Sequence, residues 1–305
     1  MKFEDLTPDA TEVLIAAAER QRRWLRRGCW IGCGLALVAI VAEMSFPLFA
    51  RWQLRRQGWE LETMSRRGLP DWAPRWADPW FGRVDSAQLK HASLRTSDVD
   101  LLRQFPEIDL VFLEATVVTD AALEKVSQLP NLLFVSFDSV RLESSGLRHL
   151  LTTPKLDALN FHNMVLDDTA LEYLAACHHL TGLRLTGVTD DNVRYLARIP
   201  SLKGLEIQDC RLTDQGAKRL ADRCLGLETL VVYSGSFSDA AVAEVARLPK
   251  LDRLDVAGVA ITDDGILKLK TCATLKTVYF RKTKVTPAGV SEFKKHRPSV
   301  DVGVE

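Results

Sequence analysis

Few side chains in this sequence stand at spacings that support catalysis or metal binding. His178 and His179 are adjacent, whereas histidine pairs that bind zinc are typically separated by three to five residues. His162 could form a polar group with Asp138 and Asn160, but we interpret these residues as ordinary surface. No HExxH motif, nucleophile elbow or phosphate-binding glycine loop is present in the sequence. We therefore predict that the protein is not an enzyme and uses no cofactor or metal.

The composition is that of a globular chain without a marked charge. Of the 305 residues, 47% are hydrophobic and 26% are charged, which excludes a disordered protein. Forty basic residues balance forty acidic ones. Because nucleic-acid-binding domains usually carry a basic surplus, we predict no nucleic-acid partner, and we expect no small-molecule substrate.

An internal repeat covers most of the chain. Each repeat contains a hexad with apolar residues at positions one, four and six, as in LKGLEI at 202–207. Positions four and six share one face of a β-strand, because side chains alternate along a strand. The hexads begin, at steps of 22 to 25 residues, at Val84, Ile108, Leu132, Leu156, Leu180, Leu202, Leu227, Leu251, Leu275 and Val300. The sequence therefore predicts nine repeats and a terminal strand over residues 84–305.

A hydroxyl residue followed by Asp comes after most hexads and predicts the start of a helix. Examples are Val188-Thr189-Asp190 and Leu212-Thr213-Asp214. The hydroxyl oxygen can accept an unpaired N–H at the helix start, and the Asp suits the helix dipole. The last repeat has Thr286-Pro287, with Pro at the first helical position. We interpret the pairs Asp167-Asp168 and Asp190-Asp191 as helix-capping residues of the same kind.

The segment Leu202–Cys224 (LKGLEIQDCRLTDQGAKRLADRC) resembles a leucine-rich repeat of the cysteine-containing type, which is best known from F-box proteins. The resemblance recurs nine times over residues 84–305. The arrangement of an apolar segment, a Trp-rich linker and these repeats resembles bacterial membrane-anchored repeat proteins. The resemblance implies an α/β solenoid with a curved parallel β-sheet on the concave face and helices on the convex face. It also implies that a partner binds on the concave face.

The cysteines of the repeats are too far apart in the predicted solenoid to be paired. Cys177, Cys224 and Cys272 lie in the fourth, sixth and eighth repeats. Strands of next-but-one repeats are about 10 Å apart, whereas a disulfide needs Cα atoms within about 7 Å. We predict reduced, buried thiols and no metal cluster.

The N-terminal region contains an apolar run, Trp30–Ala50, of 21 residues in which only Glu43 is charged. About 20 apolar residues in a helix span the hydrocarbon core of a bilayer, so we predict a single transmembrane helix over residues 28–50. A short basic helix is predicted over residues 1–27. A cleaved signal peptide and a buried core helix are alternative interpretations of the run. Glu43 either pairs with a partner helix or lies near the membrane exit.

The arginines that flank the run predict the orientation of this single-pass membrane protein. More arginines lie directly before the apolar run than directly after it, which favours a cytoplasmic N-terminus and extracytoplasmic repeats. The residues compared are Arg20, Arg22, Arg23, Arg26 and Arg27 before the run, and Arg51, Arg55 and Arg56 after it.

Residues 51–83 are predicted to form a linker and an N-terminal cap. Five of the seven tryptophans lie in this segment, and the cluster at 70–82 is rich in both Trp and Pro. A solenoid must cover its terminal apolar edge, so we expect this cluster to cap the first repeat. A separate aromatic ligand pocket is the alternative.

Hexad positions three and five and the residue after the hexad are predicted to face the concave surface. Apolar side chains cluster there in the second and third repeats, and Tyr and Arg cluster near the other end. Such groups are typical of protein interfaces. The predicted partner-binding residues are Leu110, Phe112, Phe134, Arg184, Tyr233, Arg253, Tyr279 and Arg281. The alternative for Leu110 and Phe112 is that the linker folds over them.

The sequence thus predicts a membrane-tethered leucine-rich-repeat scaffold that binds a protein partner through its concave face. The alternative function is a structural protein of the cell envelope that binds glycan or self-associates.

Overall fold

The computed structural model describes residues 48–62 and 84–305. Its strands follow the predicted hexads closely. In chain order they are β1 (Trp59–Glu62), β2 (Ser86–Lys90), β3 (Ser93–Leu94), β4 (Leu110–Glu114), β5 (Val117–Val118), β6 (Phe134–Asp138), β7 (Arg141–Leu142), β8 (Ala158–Val165), β9 (Gly182–Thr186), β10 (Gly204–Gln208), β11 (Thr229–Tyr233), β12 (Arg253–Ala257), β13 (Thr277–Arg281) and β14 (Asp301–Val304).

Eleven of these strands form one continuous sheet, in the order β1-β2-β4-β6-β8-β9-β10-β11-β12-β13-β14. From β2 onward every pair is parallel, and residues at equivalent repeat positions stand opposite each other. Leu110 faces Phe134, and Phe112 faces Ser136. Among the described strand pairs, the register shifts once, between β8 and β9 after Asn160. The three two-residue strands β3, β5 and β7 form a second, small parallel sheet.

Helices connect the strands of successive repeats. They are α1 (Thr96–Leu102), α2 (Asp120–Val126), α3 (Leu147–Leu150), α4 (Asp168–Ala175), α5 (Val193–Leu196), α6 (Asp214–Arg223), α7 (Asp239–Val245), α8 (Asp263–Lys268) and α9 (Pro287–His296). Their apolar faces and the apolar hexad positions form one buried cluster along the chain. This architecture confirms the predicted α/β solenoid of parallel strands and helices. We call the sheet face that carries hexad positions three and five and the following residue the open face.

The second residue after each of the first nine hexads adopts a left-handed backbone conformation. The turn lets its N–H bond to the next repeat; Ala115, for example, donates to the Asp138 carbonyl at 2.8 Å. Left-handed geometry usually favours glycine, yet only two of these positions are glycine. The residues are His91, Ala115, Ser139, Asn163, Gly187, Asp209, Ser234, Gly258 and Lys282.

Hydroxyl side chains cap several helices as the sequence predicts. The Thr119 side chain accepts the Ala122 N–H, and Asp167 caps α4 in the same way. Thr189 is an exception, because its hydroxyl and its N–H both donate to Asn192 Oδ1 at 2.9 Å. The prediction of a cap at Thr189 is therefore wrong; the repeat is short and α5 begins only at Val193.

An aspartate carboxylate also joins each of the C-terminal repeats to the next. Asp239 Oδ1 accepts the Thr262 N–H at 2.8 Å, and Asp239 Oδ2 accepts the Thr262 hydroxyl at 2.6 Å. We call this pair of bonds the aspartate clamp. It recurs in the pairs Asp190–Thr213, Asp214–Ser238 and Asp263–Thr286. The capping role predicted for Asp190 is thus corrected, because its carboxylate fixes the helix start of the following repeat.

The clamp explains the glycine that stands three residues after the capping hydroxyl in three of these repeats. A Cβ atom at Gly289 would lie 2.2 Å from Asp263 Oδ1, well inside van der Waals contact. Gly216 and Gly265 have the same close approach to the preceding repeat's aspartate. A glycine at this position therefore leaves room for the aspartate of the preceding repeat at the start of the helix.

Residues 48–62 cover the end of the sheet at the first repeat. Residues 48–56 are helical, and Ala50 and Leu54 are fully buried in the core shared with the repeats. β1 pairs antiparallel with β2, so that the buried Trp59 stands opposite Leu89. This segment supplies a cap. The cluster at 70–82, in which the cap was predicted, lies outside the described residues.

Most of the predicted transmembrane helix at 28–50 also lies outside the described residues, as does the predicted basic helix at 1–27. Within residues 48–50 of the predicted span, Phe49 and Ala50 are buried in the protein. Among residues 48–62 and 84–305, no helix combines the length and the apolar character needed to cross a bilayer.

Candidate partner-binding surface

The open face brings together side chains from every strand of the main sheet in three rows. The first row contains hexad position three and runs across the strands through Leu110, Phe134, Ala158, Gly182, Gly204, Thr229 and Arg253. Most side chains in the rows are partly exposed, whereas those between them are buried. All eight predicted partner-binding residues lie on this face.

An apolar group occupies the end of the open face near the cap. Leu110 and Phe134 are direct neighbours across β4 and β6. The ring centroids of Phe112 and Phe134 are 5.5 Å apart in a tilted arrangement, which is favourable for two aromatic rings. The three side chains predicted to form an apolar patch are therefore in contact or adjacent.

A hollow follows this apolar group at the centre of the face. Its volume is about 290 Å³, and its lining is mainly apolar. The hollow exists because Gly182 and Gly204 have no side chains and Ala158 has a small one, while Phe134 and Val231 form its two ends. The sequence analysis missed this feature, although small residues at hexad position three in consecutive repeats were a visible signal.

Arg184 lies beside the hollow and belongs to an ion pair. Its Nη2 atom is 2.7 Å from Glu206 Oε2, and the Gln208 amide donates to Glu206 Oε1 at 2.8 Å. The Arg184 side chain remains 40% exposed. Arg184 therefore lies between the two predicted groups, and the Glu206 carboxylate largely balances its charge.

Two arginines and two tyrosines form the second predicted group. The Arg253 guanidinium lies 5.3 Å from the centre of the Tyr279 ring, and the Arg281 guanidinium lies 5.6 Å from that of Tyr233. Both distances are within the range of cation–π attraction. The four residues predicted as one group from the sequence thus form two crossed Arg–Tyr pairs.

A buried carboxylate holds this second group together. Asp255 lies between the arginines; its Oδ2 forms an ion pair with Arg281 and lies 3.9 Å from Arg253, while its side chain is only 2% exposed. Burial raises the pKa of the Asp255 carboxyl, and the Arg281 guanidinium opposes that shift. The Asp255 charge in turn raises the pKa of Arg281. Asp255 is at hexad position five, which the sequence predicts to lie on this face, but no signal in the sequence indicated this role.

The structure brings together only part of the polar group predicted at His162. His162 Nδ1 lies 3.1 Å from Asp138 Oδ2, but Asn160 bonds separately to Ser136. In the described part of the chain, no group of three His, Cys, Asp or Glu side chains could hold a metal ion. The four cysteines of the repeats are buried and unpaired, which the sequence predicted for all of them except Cys210. They are Cys177, Cys210, Cys224 and Cys272.

Comparison with known proteins gives one family match and distant structural likenesses. Residues 199–221 match the family model described as Leucine Rich repeat. Internalin C2 from Listeria monocytogenes is 18% identical over 68% of this chain and 82% of its own, with a TM-score of 0.46. TLR13, in its complex with ssRNA13, is 14% identical over 72% of this chain and 32% of its own, with a TM-score of 0.47. No curated protein sequence matches the chain.

The matched residues 199–221 include β10 and most of α6, which is one complete strand-to-helix unit of the solenoid. Equivalent units occur on both sides of it in the same parallel sheet. The family match therefore identifies one leucine-rich repeat in this chain, and the units on both sides of it have the same strand-to-helix architecture.

Proposed function

We propose that this protein is a membrane-tethered scaffold that binds a protein partner along its open face. The observation that carries the proposal is the arrangement of that face. An apolar aromatic group, a hollow and an Arg–Tyr group follow one another along one continuous sheet. Aromatic residues and arginine are enriched where protein interfaces bind most strongly. Leucine-rich-repeat solenoids generally present such faces to protein partners.

Two substitutions on the open face test the proposal. Phe112→Asp and Tyr279→Asp change partly exposed side chains in the two groups, so both variants are expected to fold. The control is Lys218→Asp, at an exposed position of α6 away from the open face. Partners are captured on the full-length chain in cells that express it and are quantified by mass spectrometry. Loss of the same partner with both open-face variants, but not with the control, supports the proposal; unchanged capture with both overturns it.

Membrane attachment is a separate part of the proposal and rests on the apolar run in the sequence. Because Phe49 and Ala50 are buried in the protein, we place the lipid-embedded helix within residues 28–47. An 18-residue helix from Trp30 would be about 27 Å long, close to the thickness of the hydrocarbon core. The open face would then lie directly beyond the membrane surface, on the extracytoplasmic side.

Extraction and protease protection test this attachment. We expect the full-length chain to stay with membranes in alkaline carbonate, and its repeats to be cleaved by protease added outside intact cells. Release by carbonate would contradict the tether, and protection of the repeats would reverse the orientation. The buried cysteines and the apolar run motivate the finer assignment to cysteine-containing repeats in a bacterial-type membrane-anchored protein, which we retain as part of the proposal.

A further inference from the structure

We infer that the partner presents an extended polypeptide segment in which an apolar residue and an acidic residue are four positions apart. This inference rests on the proposed function and specifies the chemistry of the partner. It follows from two features in the first row of the open face: the hollow at Gly182 and Gly204, and the exposed guanidinium of Arg253.

The hollow suits one apolar side chain rather than a whole small molecule. Its volume of about 290 Å³ lies at the lower end of the range for small-molecule pockets, about 300–1,000 Å³. It opens along the face instead of enclosing its contents, and Phe134 and Val231 supply apolar ends. A side chain such as Leu would exchange water for apolar contact there, which favours binding.

The guanidinium of Arg253 is available to bind a carboxylate of the partner. Two guanidinium groups form ion pairs with the single buried carboxylate of Asp255, and the closer of the two is that of Arg281. Arg253 is farther from Asp255, at 3.9 Å, and its side chain is 46% exposed. Arginine binds carboxylates through paired hydrogen bonds, and the Tyr279 ring holds the Arg253 guanidinium from one side.

The distance between the hollow and Arg253 determines how many residues separate the apolar and the acidic side chain of the partner. Neighbouring strands are about 4.8 Å apart, and the midpoint between β9 and β10 lies two and a half strand spacings from β12, or roughly 12 Å. An extended chain advances about 3.3 Å per residue, so four residues cover roughly 13 Å. Residues four apart in an extended chain also point to the same side. Thr229, which lies between the features in the same row, is small enough for a chain to pass over it.

Synthetic peptides provide the test. An array of ten-residue peptides carries one Leu and one Glu in a Ser/Thr background, at every separation from one to eight and in both orders. The array is probed with labelled full-length protein. We expect the strongest binding at a separation of four, and replacement of Glu by Lys should abolish it. Binding that does not depend on separation, or that survives the change to Lys, would overturn the inference.

Matched variants then place the best peptide on the face by fluorescence anisotropy. Arg253→Gln should weaken binding about tenfold, which corresponds to about 1.4 kcal/mol, because the charge-assisted hydrogen bonds to the carboxylate are lost. Gly204→Leu should weaken it by a similar factor by filling the hollow. The strand tolerates that change, because a Cβ at Gly204 would meet only the Thr181 carbonyl, at 3.9 Å. Lys268→Gln, on the exposed side of α8, is the control and should bind unchanged.

The outcomes separate this inference from the proposed function. If no peptide binds while Phe112→Asp still removes the natural partner, the partner chemistry is wrong and the proposed function stands. If peptide binding is unaffected by both Arg253→Gln and Gly204→Leu, with circular dichroism showing folded variants, the assigned position on the face is wrong.

Discussion

Removing one aspartate clamp should lower the free energy of unfolding of the solenoid, because two hydrogen bonds between neighbouring repeats are lost. In Asp239→Ala, the N–H and the hydroxyl of Thr262 both lose their acceptor. A hydrogen bond to a charged group contributes about 1.5–3 kcal/mol, but both residues are only half-buried and water can replace part of the loss. We therefore expect the free energy of unfolding to fall by about 2 kcal/mol.

The neighbouring residue Asp264 offers a matched control. Asp264 lies in the first turn of α8, as Asp239 does in α7, but it is exposed and its carboxylate has no hydrogen-bond partner within the described residues. Asp264→Ala removes a carboxylate near the helix start, an effect of about 0.5 kcal/mol. Asp239→Asn keeps an acceptor for the Thr262 N–H but loses the charge, so its cost should lie between the two alanine variants.

Urea unfolding of the full-length chain, followed by far-ultraviolet circular dichroism, measures these differences. The order of destabilisation should be Asp239→Ala, Asp239→Asn and then Asp264→Ala. Equal unfolding free energies for the two alanine variants, within about 0.5 kcal/mol, would refute the view that the carboxylate joins neighbouring repeats.

Three further predictions concern packing, pH and thiol chemistry. Gly289→Ala should cost less stability in an Asp263→Ala background than in the natural chain, because the closest clash is with the Asp263 carboxylate; additive costs in a urea double-mutant cycle would exclude this coupling. The hydrogen bond from His149 lowers the pKa of the Asp120 carboxyl, so its stabilisation is present above the unfolded pKa of about 3.9 and is lost as pH falls through the folded pKa. The stability difference between Asp120→Asn and the natural chain should accordingly shrink between pH 7 and pH 3, and a constant difference would contradict it. Burial raises the pKa of the Cys224 thiol to about 12, so iodoacetamide at pH 8 should label it only in urea; labelling in the folded protein would argue against its burial.

The repeat architecture could be predicted from the sequence because its signals are local and recur. Every hexad start from Val84 to Val300 is buried, as the apolar spacing required. Positions such as Phe112 and Tyr279 could be assigned to one face because side chains alternate along a strand. The register between strands then followed, since each repeat is nearly the same length as the next.

Features that depend on contacts between repeats could not be predicted in this way. The aspartate clamp joins residues 23 or 24 positions apart, as in Asp239 and Thr262, and a single repeat gives no sign of it. The left-handed turns after the strands are occupied mostly by residues other than glycine, such as Ala115, because neighbouring repeats fix them. The burial of Asp255 depends on arginines contributed by two strands, Arg253 on its own and Arg281 on the next.

We propose that the open face, and not the helix side, contacts the partner. A photo-reactive amino acid placed in the full-length chain at Gln88, Arg184 or Thr277 reports contacts on the open face, and one placed at Lys218 or Lys268 reports contacts on the helix side. Irradiation in cells, followed by mass spectrometry, identifies what each position touches. We expect one shared partner polypeptide to be cross-linked from the three open-face positions and to be absent from the other two. Cross-links to that partner from the helix positions alone would contradict it.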